Sequence, residues 1–128
     1  TVDFKDELSV QADPTLLTTN LNQTYKVKTV LDFWGSKSGV DAISRLYNKE
    51  LYNENNPALF IAHGTDDPTV SYQKAKDLEA VYKTTGAPYI LYPLQGQGRG
   101  PWRYKQNGKS LGDLALKFIS KQQQLEVI

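Results

Sequence analysis

Three short apolar runs divide the sequence, at residues 27–34, 58–62 and 89–92. The first mixes β-branched and aromatic residues and ends at Gly35, which is typical of a strand. The second is apolar or small throughout, which favours a strand buried on both faces. Pro93 follows the third run and is expected to stop it, because proline has no N–H to donate to a sheet. We therefore predict three short strands.

Apolar positions three and four residues apart follow each of these runs and predict helices. The first helix is expected over about 39–50. The second begins after Ser71 and ends at Gly86, which is placed as a left-handed cap. The third begins near Ser110, which with Asp113 forms a capping box. The predicted buried stripe of the third helix is Leu111, Leu114, Ala115, Phe118 and Gln122.

Strands that alternate with helices predict an α/β fold, a three-layer αβα arrangement around a mostly parallel sheet. Right-handed crossovers bring the carboxyl ends of parallel strands to one edge. The loops 34–37, 63–70 and 95–103 are therefore expected to lie side by side, although they are far apart in sequence. Open α/β sheets bind their ligands at this edge.

Composition narrows the classes of function. The 128 residues allow one modest core, and their net charge of +1 gives no basic face for nucleic acid. No apolar run is long enough to span a membrane. Without cysteine there is no disulfide and no thiolate metal site. Because the chain begins at Thr1 and contains no methionine, we expect a processed or trimmed fragment.

The most distinctive stretch is the polar loop after the second run. It carries the only histidine, His63, and two carboxylates, in the pattern His63-Gly-Thr-x-Asp-x-x-Val70. This pattern resembles the strand-7 loop of α/β-hydrolases of the esterase and lipase type. The resemblance continues into 92–102, where these enzymes commonly read Gly-x-Gly-His-Gly-x-Trp. It covers roughly residues 27–122 and only the C-terminal half of that fold, without the N-terminal strands or the nucleophile elbow.

The resemblance implies roles for particular residues. Asp67 stands at the position of the triad acid, and Arg99 stands at the position of the family histidine. Trp34, His63 and Trp102 would line the site. The chain is then the acid- and histidine-loop half of a serine carboxylic-ester hydrolase, for a small acyl or ester substrate if the missing half complements it. Arginine cannot act as a general base at neutral pH, so this chain alone is expected to be inactive.

Simpler roles compete with these. Asp67 or Asp66 could cap the start of the following helix, where orphan N–H groups favour a carboxylate. His63 is better explained as a hydrogen-bonded residue at a strand end than as a catalyst. With the two carboxylates it would form a poor metal site, so no metal is expected.

Two other motifs match known functional motifs only in part. Gly35-Ser-Lys-Ser-Gly39 has Lys37 where a nucleophile elbow needs a central serine, so we interpret it as a turn with helix-capping serines. The glycines at 96, 98 and 100 do not open a helix, as a dinucleotide fingerprint would, so no cofactor is expected.

Two alternatives to the enzyme remain open. One is a non-catalytic α/β domain that pairs with a partner chain, or forms a homodimer, at an open sheet edge. The other is a flavodoxin-like binder of nucleotide or phosphate, which fits the fold class but has no phosphate motif. Within the chain, we expect an irregular lead-in over 1–26 and a tail over 123–128.

Overall fold

Three parallel strands form the centre of the computed structural model, which describes residues 26–126. They are β1 (Thr29–Phe33), β2 (Ala58–Gly64) and β3 (Tyr89–Leu94), in the spatial order β1-β2-β3. Both strand pairs are parallel, with Thr29 opposite Ala58 and Leu59 opposite Tyr89. The predicted parallel sheet is confirmed. The expected lead-in, apart from Lys26, and the last two residues of the expected tail lie outside the described residues.

Helices cover both faces of this sheet, as the sequence predicts. These are α2 (Gln73–Thr85) on one face and α3 (Leu111–Gln123) on the other, whereas α1 (Ser38–Tyr47) has no buried residue. Leu59 and Ile61 of β2 pack on the α2 face, whereas Phe60 and Ala62 pack on the α3 face. Every residue of β2 is buried. None of these helices is long and apolar enough to cross a membrane.

The predicted helix ends are accurate where a local signal defines them. Gly86 ends α2 with a φ of +78°, which glycine adopts without steric cost. Ser110 and Asp113 form both hydrogen bonds of a capping box at the start of α3. Of the predicted stripe, Leu111, Leu114, Ala115 and Phe118 are buried, whereas Gln122 is only half-buried.

Pro93 does not end the third strand, so that part of the prediction is wrong. It lies inside β3, opposite His63. The N–H groups of Leu59 and Thr65 donate to Pro88 and Leu94, so the even-numbered residues of this strand face β2. The nitrogen of Pro93 therefore points to the side of β3 that pairs with no described strand, where no donor is needed.

A hairpin that was not predicted from the sequence precedes α3. Its strands are β4 (Lys105–Gln106) and β5 (Lys109–Ser110), which pair antiparallel. Asn107 and Gly108 connect them with φ angles of +50° and +77°. Asn-Gly with two positive φ angles is the usual signature of a tight type I′ turn. The Asn-Gly signal was present in the sequence, but each flanking strand is only two residues long, too short to show a strand pattern.

Candidate functional site

Residues from all three carboxyl-end loops meet around the side chain of Arg99. Its Nη1 lies 3.5 Å from Oδ2 of Asp67, in the loop after β2. The same nitrogen lies 3.4 Å from the carbonyl oxygen of Trp34, directly after β1. The structure thus brings together three positions that are widely separated in sequence.

The loop after β3 is fixed to the end of β2 by a close backbone approach. The N–H of Asp66 donates to the Gln97 carbonyl over 3.0 Å, and the N–H of Gly96 donates to Oγ1 of Thr65 over 2.8 Å. A Cβ on Gly64 would lie 2.9 Å from the Gln97 carbonyl carbon, and closer still to that group's oxygen. Glycine at this position is therefore what allows the Arg99 loop to approach.

Asp67 makes two kinds of contact with its two oxygens. Oδ1 accepts from the backbone N–H groups of Thr69 and Val70, at 2.8 and 3.0 Å. Oδ2 faces Arg99 and lies 3.7 Å from Nε2 of His63. The side chain is fully buried. Asp67 is therefore the acceptor for two N–H groups of its own loop and the ion-pair partner of Arg99. The alternative of a cap on the following helix is wrong, because α2 begins only at Gln73 and its N-cap residue, Tyr72, has no side-chain cap.

The charge of Asp67 is stabilised despite its burial. Burial alone would raise the pKa of the carboxyl group, but the N–H groups of Val70 and Thr69 and the positive charge of Arg99 outweigh it and lower the pKa. Asp67 is therefore ionised at neutral pH. Asp66, the competing carboxylate, is exposed and accepts from the hydroxyl of Thr65.

His63 is held inside the fold by its ring nitrogen Nε2. The side chain is fully buried, and Nε2 lies 2.8 Å from the carbonyl oxygen of Val70. A carbonyl only accepts, so Nε2 carries the proton. The ring also packs edge-on to Tyr72, with centroids 6.1 Å apart. These contacts place His63 at the strand end and next to the acid.

Two tryptophans pack against each other near Arg99. The rings of Trp34 and Trp102 meet edge to face, with centroids 4.7 Å apart, and Phe33 packs against both. Trp34 is buried, whereas Trp102 is 63% exposed. Trp34 has a φ of +49°, an unusual conformation for a bulky residue and one often found at functional sites. Trp102 thus presents a large apolar ring to solvent at the site.

The turn before α1 differs from its prediction. Lys37 is the N-cap residue of this helix, and its side chain makes no capping hydrogen bond. The Oγ of Ser36 instead accepts from the N–H of Ser38 over 3.4 Å. Lys37 pairs with Asp41 one turn later, at 2.7 Å. The predicted helix-capping role is therefore wrong for Ser38, which is itself the first residue of α1, and Ser36 makes only this one long contact with the helix start.

Asp32, a half-buried carboxylate in β1, was not predicted as a site residue. Its Oδ1 accepts from the N–H of Gly35 over 2.8 Å. Burial raises the pKa of this carboxyl group, although the Gly35 N–H and nearby His63 oppose the shift. The sequence signal that could have identified Asp32 is that it is the only acidic residue in the apolar run 27–34. Among residues 26–126, no group of three or more histidines and carboxylates could hold a metal ion.

Several solved structures similar to this chain are esterases. A truncated carbohydrate esterase from gut microbiota aligns with a TM-score of 0.60 and 19% identity, over 82% of this chain and 46% of its own. Esterase 2 of Thermogutta terrifontis, with propionate bound, aligns with a TM-score of 0.58 and 20% identity, over 79% and 45%. Esterase PE8 aligns with a TM-score of 0.53 and 21% identity, over 74% of this chain and 39% of its own.

The chain thus spans less than half the length of these esterases. No family model and no curated protein matches the sequence. At such low identity, the structural similarity describes the fold. The described part of the chain has a partial α/β-hydrolase fold, the fold of these esterases.

Proposed function

We propose that this chain provides the acid side of a carboxylic-ester hydrolase site, in which Arg99 occupies the place of the histidine. The observation that carries the proposal is the approach of Arg99 to the buried, ionised Asp67 at the carboxyl edge of the parallel strands. In a Ser–His–Asp site, the acid orients an imidazole and stabilises its cation. The geometry here keeps an acid and a cation together.

The substitution changes what this pair can do. Arginine stays protonated, so it cannot take a proton from a nucleophile. Arg99 and Asp67 therefore form a fixed ion pair that holds two loops together, and a serine nucleophile and a histidine would have to come from outside the described residues. The substrate class, a small acyl ester, rests on the similarity to esterases, one of which is described with propionate bound.

Replacing Arg99 by histidine tests whether the acid is correctly placed. In Arg99→His, we expect the pKa of the introduced imidazole to lie above the usual value of about 6.5, because a nearby carboxylate favours the charged form. Titration followed by NMR measures this pKa. The same replacement combined with Asp67→Asn is the matched control, in which the pKa should return to its usual range. Equal pKa values in both backgrounds would refute the assignment.

An ester assay completes this test. Neither the chain nor Arg99→His should hydrolyse a short-chain aryl ester above background, because a triad without its nucleophile retains little catalysis. Ser36→Ala and Ser38→Ala control for the turn that resembles an elbow. Hydrolysis that disappears in either serine variant would show that this turn does supply a nucleophile.

A second candidate function is pairing through the outer edge of β1. Among the described residues, β1 pairs only with β2, and yet Val30 and Leu31 are apolar and exposed at 39% and 37%. Apolar side chains on both faces are typical of an interior strand, not of an edge. A non-catalytic α/β domain that self-associates through this edge would cover them.

Light scattering coupled to size exclusion tests this pairing. We expect the 128-residue chain to form a dimer or larger species as its concentration rises, and Leu31→Lys to shift it towards monomer, because lysine on an edge strand blocks pairing. Leu46→Lys is the matched control, since Leu46 is 75% exposed on α1 and lies away from the strand. A wild-type chain that stays monomeric at all concentrations would contradict self-association.

A further inference from the structure

The segment between β3 and α3 carries a local positive charge, although the net charge of the chain is only +1. No acidic residue occurs between Glu79 and Asp113. Arg99, within this segment, is already paired with Asp67. Three further cations follow it, and they are Arg103, Lys105 and Lys109. All three are exposed, and none of them forms an ion pair with another residue of 26–126.

Trp102 stands at the tip of a turn at the start of this basic stretch. The N–H of Tyr104 donates to the Pro101 carbonyl over 2.9 Å, which closes a four-residue turn. Trp102 and Arg103 are the two central residues of the turn, and the Trp102 side chain is 63% exposed. Tyr104 packs against the core between the sheet and α3. The base of the turn is therefore anchored, and its tip projects into solvent.

The two lysines lie on the β4–β5 hairpin that follows. The nearest acid along the chain, Asp113, forms no ion pair with them, because its Oδ2 accepts from the hydroxyl and the N–H of Ser110, at 2.7 and 3.0 Å. These two bonds are the largest causes that lower the pKa of Asp113, and the charges of Lys109 and Lys105 add to them. Both lysines therefore lie near the start of α3.

An exposed tryptophan beside unpaired cations fits the interface of an anionic membrane. Indole rings favour the headgroup region, where one end of the ring is in an apolar environment and the other is wet. Lysine and arginine reach lipid phosphates while their stems lie along apolar surface. Single-stranded nucleic acid uses similar chemistry, but it is held in basic grooves lined by several stacking rings. One ring at a projecting turn tip fits a surface better than a strand.

We propose that the segment 102–109 docks this chain on an anionic lipid surface. Trp102 enters the headgroup region, and the three cations contact lipid phosphates. The contact is peripheral, since none of the described helices is long and apolar enough to cross a membrane. In this orientation the carboxyl edge of the sheet, with Asp67 and Arg99, faces the lipid. Docking of this kind does not require ester hydrolysis.

The expected binding is reversible and depends on salt. A cation close to an anionic surface strengthens binding roughly fivefold, so three cations together contribute about a hundredfold. This attraction falls off within a Debye length, which shrinks from about 8 Å at physiological ionic strength to about 3 Å in 1 M salt. Binding to anionic vesicles should therefore be lost in concentrated salt.

Vesicle flotation and tryptophan fluorescence of the 128-residue chain test the proposal. The vesicles are phosphatidylcholine alone, or phosphatidylcholine with about one-third phosphatidylserine. We expect binding only to the vesicles that contain phosphatidylserine, together with a blue shift of the emission as the Trp102 ring leaves water. Trp34 is already buried, so it contributes little to this shift. Trp102→Ala should lose the shift.

A triple variant tests the cations and leaves Trp102 in place, so the test stays valid even if Trp102→Ala does not fold. Arg103→Gln, Lys105→Gln and Lys109→Gln combined should weaken binding to the anionic vesicles about a hundredfold. All three side chains are exposed, so the fold should be kept, and urea unfolding checks this.

The matched control removes the same charge at the other end of the sheet. It combines Lys26→Gln, Lys28→Gln and Lys121→Gln. The first two residues precede β1, and Lys121 is in the last turn of α3, where Gln123 donates to the hydroxyl of Thr29. This control should bind the vesicles as the wild type does.

Three results would each overturn the proposal. The first is equal loss of vesicle binding in the two triple variants, which would mean that only the net charge matters. The second is wild-type binding that does not depend on phosphatidylserine. The third is a blue shift with a labelled oligothymidylate but none with either kind of vesicle, which would assign the surface to nucleic acid.

Discussion

Gly64→Ala is expected to destabilise the fold by about 3 kcal/mol and to detach the loop that carries Arg99. The added Cβ would meet the carbonyl groups of Gln97 and Gly98. These are backbone atoms, so no side-chain rotation can relieve the clash. The loop has to move away from β2, and the hydrogen bond from Asp66 to Gln97 is lost with it.

Urea unfolding of Gly64→Ala measures this effect, and Gly39→Ala is its matched control. A Cβ on Gly39 meets nothing within 4 Å, and the residue lies in α1. Alanine there should be neutral or stabilise the chain by about 0.5 kcal/mol. If both variants unfold at the same urea concentration, the close approach at Gly64 is not a constraint on the fold.

Asp67→Ala is expected to cost about 2 kcal/mol of unfolding free energy. The substitution leaves the N–H groups of Thr69 and Val70 without their acceptor and Arg99 without its counter-charge. Arg99 is 43% exposed and recovers water, so most of the loss comes from the loop. Asp67→Asn keeps one oxygen for the N–H groups and should cost less.

The pH dependence of this loss follows from the lowered pKa of Asp67. A carboxyl group whose pKa falls on folding contributes stability above its unfolded pKa of about 3.9, and this contribution is lost as pH falls through the folded pKa. Unfolding midpoints of the wild type and Asp67→Ala should therefore converge in acid. Asp66→Ala, at the exposed neighbour, should change stability by less than about 0.5 kcal/mol at neutral pH. A constant difference between wild type and Asp67→Ala would contradict this role of the charge.

The elements that the sequence predicts well are those whose signal is local. Examples are the apolar run of β2, the Gly86 cap and the Ser110 capping box, each of which depends on residues only a few positions apart in sequence. Pro93 shows the limit, because whether a proline ends a strand depends on which edge its nitrogen faces. That direction is set by pairing with β2, which no local pattern contains.

The residues of the candidate site also fall into two groups, those with a local sequence signal and those placed only by the fold. The loops that carry Asp67 and Arg99 were expected to lie side by side, and Nη1 of Arg99 lies 3.5 Å from Oδ2 of Asp67. Their catalytic meaning remains a prediction. Asp32 could not be found from sequence spacing, since its proximity to His63 arises only from the register of β1 against β2. The double role of Asp67 likewise depends on how the loop folds back on its own carboxylate.

The spatial order of the strands also has a consequence for how the chain folds. Each strand pairs with its neighbour in sequence, across a single intervening helical segment. Closing such moderate loops costs less entropy than bringing together distant segments. The described sheet can thus nucleate as one βαβαβ unit from contacts within it. A strand that joined the outer edge of β1 afterwards would pair with a strand that is already in place. It would therefore need no nucleation step of its own.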